Sequence, residues 1–171
     1  MRRLIIFICS LAVSIVAGAA VSIPLLDRMP GHRVTFDYIY TAADGQEVAS
    51  GEVIVQGNSY KLSAMGLEIV SDGTTRWTLD RKACEVLIEN VDNVDPSTNP
   101  ALLVMRYRDY SDRLKVHSAG EDSLDISIAL SEETVARFRL SGIVFAEEGE
   151  PGDFVLDVEG LGNGYIVTDL R

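Results

Sequence analysis

The sequence predicts a mainly β protein: a strongly curved antiparallel sheet forming an incomplete, half-open barrel with a short α-helix on or in its concave side. Three observations carry this expectation. Apolar and polar residues alternate over most of the chain, the period of strands with one buried face. Turn signals recur at roughly eight to twelve residues, as in a meander. One stretch near Asn99 breaks the alternation and is apolar on every side. A long, one-sided meander of nine to eleven strands, roughly, curls upon itself rather than lying flat.

The chain begins "MRRLIIFICSLAVSIVAGAAVS": a basic end, an apolar run and small residues. Ala17-Gly18-Ala19 offers a cleavage site, so residues 1–19 read as a secretory signal peptide and 20–171 as a single domain. The apolar run is short for a membrane span, which needs about 20 residues.

The strands follow in order. "RVTFDYIY" puts Val34, Phe36, Tyr38 and Tyr40 on one face, and Asp44-Gly45 turns the chain. "GEVIVQG" carries Val53 and Val55, and Gly57-Asn58 leads to Tyr60, Leu62 and Ala64. "LEIVS" carries Leu67 and Ile69, and beyond Asp72-Gly73 come Thr75, Trp77 and Leu79. "ACEVLIEN" continues the alternation from Cys84 through Val86 and Ile88, which reads Cys84 as a small buried hydrophobe. Asn99-Pro100 then starts a helix expected to reach about Tyr110, an N-cap residue followed by proline. Ala101-Leu102-Leu103-Val104-Met105 cannot all be buried against one flat surface, so this helix is clamped between layers or plugs a hollow. Strands resume with Leu114 and Val116, then Leu124, Ile126, Ile128 and Leu130. Next come Ala136, Phe138 and Leu140 inward, with Arg137 and Arg139 outward. After the acidic loop "AEEGEPGD", "DFVLDVEG" reads as the last clear strand.

Charge excludes some functions. The chain carries a net −11, and loss of Arg2 and Arg3 with the leader makes it −13. Nucleic-acid binding needs basic clusters, and anionic lipid repels such a protein. Outside the leader Cys84 stands alone, so no internal disulfide is expected.

The groups that catalysis requires are not assembled. His32 and His117 lack a second histidine at ligand spacing and read as solvated. No nucleophile elbow, zincin, dinucleotide or phosphate-loop motif is present. "ENVDNVDP" lacks the spacing of a calcium loop and reads as a charged loop before the helix cap. The expectation is a non-enzyme without cofactor or metal.

Several stretches resemble the periplasmic outer-membrane lipoprotein carriers of the LolA type and the wider LolA-like group. "SGEVIVQGNSYKL" resembles the first hairpin of that family. "LEIVSDGTTRWTLD" resembles its Asp-Gly-x-Thr-x-Trp segment, "KACEVLIEN" its next strand, and "STNPALLV" the Asn-Pro opening of a lid helix. The end, "GYIVTDLR", is similar to that of some members, and the likeness is best from Gly51 to Val104. The resemblance implies a periplasmic, monomeric chaperone that shields lipoprotein acyl chains in an apolar cavity. Such a carrier takes them from an inner-membrane releasing complex and passes them to an outer-membrane receptor. It also implies that Phe36, Tyr38, Val53, Val55, Tyr60, Leu62, Ile69, Trp77 and Leu79 line the cavity. Leu102, Leu103, Met105 and Tyr107 would form the lid. Two departures stand out: Gln56-Gly57 replaces an Arg-Pro pair that helps hold the lid, and the segment before the first strand is short and broken by Pro24 and Pro30. Arg76, Arg106 and Arg108 are candidates to take over those contacts, with plain solvent exposure as the alternative. A lipid-sensing interaction module on the same fold and a ligand-free structural domain remain the competing readings.

Overall fold

A computed structural model describes residues 22–91, 99–131 and 134–171. The expected leader lies outside them, as do residues 92–96 of "ENVDNVDP". The chain is mainly β. A one-turn helix, α1 (Pro24–Asp27), precedes β1 (Arg33–Thr41), β2 (Glu47–Gln56), β3 (Ser59–Ala64), β4 (Leu67–Ser71), β5 (Thr75–Asp80) and β6 (Glu85–Asn90). Helix α2 (Pro100–Met105) interrupts the strands, and β7 (Leu114–Ala119), β8 (Leu124–Ala129), β9 (Val135–Ala146) and β10 (Ile166–Asp169) follow. All ten strands form one sheet in the order β10-β6-β5-β4-β3-β2-β1-β9-β8-β7. The sheet is open, with β10 and β7 at its edges.

The meander turns fall where the turn residues stand. Met65 and Gly66, both with positive φ, make the tight link from β3 to β4, the geometry that matches strand twist. Gly51 has a different role. It faces Tyr38 across β1 and β2, and a Cβ there would lie 1.9 Å from the backbone oxygen of Ser63. That absence of side chain lets Tyr38 donate its hydroxyl hydrogen to the Ser63 carbonyl at 3.3 Å. Gly51→Ala is therefore expected to cost about 1–3 kcal/mol through overpacking, read as a lower urea midpoint.

Strand register divides the apolar residues between two faces. Val34, Phe36 and Tyr38 share the inner face with Val53, Val55, Tyr60 and Leu62, and on the other side with Phe138 and Leu140 of β9 and Ile126 and Ile128 of β8. Both helices cover this face: Leu25, Leu26 and Ala101 to Val104 belong to the same buried cluster. Val70 opposes Trp77, Trp77 opposes Ile88, and Leu79 opposes Val86. These residues stand on the outer face, because Val70 pairs with Lys61 while its neighbour Ile69 pairs with Leu62. They form a second cluster, covered by Leu156, Val158, Leu161 and Tyr165.

Several expectations are corrected here. The sheet is not purely antiparallel, since β10 runs parallel to β6. "DFVLDVEG" forms no strand; it makes 3-10 turns at Pro151–Phe154 and Glu159–Leu161. Its alternating Phe154, Leu156 and Val158 fit a buried strand equally well, but Leu156 and Val158 cross the outer cluster instead of joining an edge. The fully buried Phe154 packs into the sheet beside β3. Helix α2 stops at Met105, and a 3-10 turn (Tyr107–Tyr110) replaces its second half, where the all-round apolar pattern has ended. Cys84 is not a member of the β6 alternation. It is half-buried in the preceding turn at φ 58°, its Sγ 3.7 Å from the Arg81 carbonyl oxygen.

Candidate functional site

The site begins with α2. Asn99 caps it as its sequence position requires: its side-chain oxygen accepts from the Ala101 and Leu102 amides at 3.0 and 3.2 Å. The same side chain donates to the Tyr60 hydroxyl at 3.3 Å, tying the helix start to β3. Burial pushes the Tyr60 phenol above its ordinary range. Between its ends the helix offers only apolar side chains, and Ala101, Leu102, Leu103 and Val104 are all buried.

Polar contacts resume beyond the helix. Tyr107 and Arg108 both donate to Asp27 Oδ1 at the end of α1, and the Ser22 hydroxyl donates to Oδ2 at 2.7 Å. Arg108 thus supplies a contact between the two helical segments. Arg76 is also engaged: it pairs with Glu89 directly across β5 and β6, on the inner face. Its Nε is buried and has no partner among the described residues. Arg106 pairs with Asp109 one turn on at 3.0 Å. Gln56, at the end of β2, serves a different segment. Its amide bonds the Gly149 carbonyl and amide at 2.8 and 2.9 Å, holding the acidic loop after β9.

Hydrogen bonds from Tyr107, Ser22 and Arg108 hold the Asp27 carboxyl down at about 2. An unfolded aspartate titrates near 3.9, roughly. The folded value is the lower one, so the latch contributes fully above about pH 4 and is lost as the pH falls toward 2. Asp27→Asn is expected to lower the urea midpoint at pH 6, with the gap to the parent narrowing as the pH falls toward 2.

Next to this latch lies a cavity of about 410 Å³, within the common range for ligand pockets. Leu26, Met29 and Pro30 form one wall, Val55 to Asn58 of the β2–β3 hairpin a second, and Val104 to Asp109 the third. Its interior is apolar through Leu26, Val55, Val104 and Met105, and its rim carries Asp27, His32 and Arg108.

The residues expected to line a cavity divide three ways. Phe36, Tyr38, Val53, Val55, Tyr60 and Leu62 meet in one inner cluster with Leu102, Leu103 and Tyr107; Ile69 and Met105 pack against it half-buried. Only Val55, Met105 and Tyr107 of the thirteen expected residues reach the cavity. Trp77 and Leu79 are not on this wall at all: they stand on the outer face, beneath the C-terminal segment. Leu26, Met29 and Pro30 were missed, because a short proline-broken segment has no periodicity that assigns it to a wall. Among the described residues no helix is long and apolar enough to cross a membrane. Compared with known proteins, the chain matches no family model and no curated protein.

Proposed function

We propose that the chain is a non-enzymatic binder and carrier of acyl chains, with the open sheet as the wall of a half barrel and α2 as its lid. In this reading it works in the periplasm, shielding lipoprotein lipids on their way to the outer membrane. One observation carries the proposal. Helix α2 is apolar on all sides, and its attachments are polar only at its two ends, Asn99–Tyr60 and Tyr107/Arg108–Asp27. Such a helix can lift from an apolar wall once one end lets go, exposing the inner face to a ligand.

The energetics suit a carrier without an energy source. Exposing an acyl chain to water costs about 0.8 kcal/mol per CH₂. An apolar hollow under a latched helix stabilises the chain by that amount and holds it without polar bonds that would slow release.

A specific observation favours the ligand-free structural domain as a second reading. The inner-face residues are packed against α2, and the open space is displaced to one end of the sheet. A closed lid accounts for the same packing. Native mass spectrometry of protein exported to the periplasm, followed by organic extraction, separates the two. Copurifying phospholipid or acylated peptide is the expected result. A bare mass with no uptake of added lipidated peptide would sink the carrier and leave the structural domain. Trp77 is unsuited as a fluorescent reporter of uptake, since it stands on the far side of the sheet.

A further inference from the structure

We infer that the outer face of β7, β8 and β9 is a docking groove for an acidic polypeptide segment of a partner protein, independent of the lid and its cavity. The alternation that turns Ala136, Phe138 and Leu140 inward turns Arg137 and Arg139 outward. Lys115 and His117 come from β7 and Ser127 from β8, and together with the β1–β2 turn they bound an open groove of about 680 Å³. The charge balance is the unusual feature. Three cations line the groove and no carboxylate is among its described lining residues, although Asp125 pairs with both arginines from beside it, in a chain whose net charge is −11.

Asp125 is committed to its neighbours. Arg137 grips both its oxygens at 2.7 Å, while Arg139 approaches only to 3.9 Å. Lys115 is exposed and Arg139 largely so. Two acids flank the turn outside the groove lining: Asp44 accepts from the Gln46 amide and Glu47 from the Ser50 hydroxyl. His117 lies 2.8 Å from the Ser127 hydroxyl.

The spread of the cations selects the ligand. Lys115 and the two arginines stand two strands apart, about 10 Å, wider than one compact anion bridges. Several carboxylates on one extended segment match that spacing. Ala42, Ala43 and Val135 add apolar surface between the charges, so alternating acidic and aliphatic residues suit the groove best. A flat anionic membrane is disfavoured, because the groove is concave and the surrounding chain is strongly acidic. A positive patch on such a protein orients its partner as well as attracting it.

The test is fluorescence anisotropy with a labelled peptide alternating glutamate and valine, beside its lysine counterpart and vesicles rich in phosphatidylglycerol. The parent should bind the acidic peptide, and added salt should weaken it. Lys115→Glu with Arg139→Glu should lose at least about tenfold in affinity while the far-ultraviolet spectrum holds. Arg139→Gln leaves the Asp125–Arg137 pair intact, so a smaller loss there serves if the double variant misfolds. Equal binding of both peptides, no loss in either variant, or capture of vesicles but not of the acidic peptide would each overturn the assignment.

Discussion

Leu103→Ala is expected to lower the unfolding free energy by about 2–5 kcal/mol, measured from urea midpoints. Leu103 is fully buried in α2 and belongs to the cluster that joins that helix to the inner face of the sheet. A six-residue helix is far too short to persist by propensity, so it is held by packing. Removing its central side chain leaves a hole that neighbours on β2 and β3 fill only partly. The carrier reading adds a consequence: the weakened lid should release bound lipid faster. A loss below about 1 kcal/mol would mean that the helix is not seated on the sheet in the resting protein.

Trp77→Ala should cost about 3–5 kcal/mol and, on the carrier reading, leave lipid uptake unchanged. Trp77 is buried in the outer cluster between Val70 and Ile88, under Leu156, Val158 and Leu161. Its truncation loosens the C-terminal segment rather than the inner wall. Circular dichroism must follow the unfolding, because this is the chain's only tryptophan. If the variant stayed stable but lost lipid binding, Trp77 would belong to the ligand wall and the division of the sheet into two clusters would be wrong.

These two substitutions mark how far the sequence could be read. Local chemistry was legible: alternation located nine of the ten strands, dipeptides such as Asp44-Gly45 and Gly57-Asn58 located turns, and Asn99-Pro100 located the start of α2. Each of these signals acts within a few residues and needs no distant partner. The inward side of β1, β2, β3, β8 and β9 was legible for the same reason, since one face of each is plainly more apolar.

Trp77 and Leu79 show where that stops. In β4 and β6 both faces carry apolar residues, and in β5 the one apolar face turns outward; alternation says which residues share a side but not which side it is. Register with β3 decides it: Lys61 opposite Val70 commits Trp77 and Leu79 to the outer face. The C-terminal segment raises the same difficulty. Phe154, Leu156 and Val158 alternate like a strand, yet hydrogen bonding at an edge fell instead to Ile166–Asp169, beside β6.

By itself, then, the sequence determined a mainly β chain with ten or so strands, the position and cap of its one apolar helix, and a strongly acidic surface. Only the tertiary structure decided that the sheet has two apolar faces, that Asp27 and Arg108 tie the helical segments together, and that Lys115, Arg137 and Arg139 converge. The reason is one of range. Periodicity and turn chemistry are set by neighbours along the chain, whereas faces, latches and charge clusters depend on residues brought together from up to roughly a hundred positions apart.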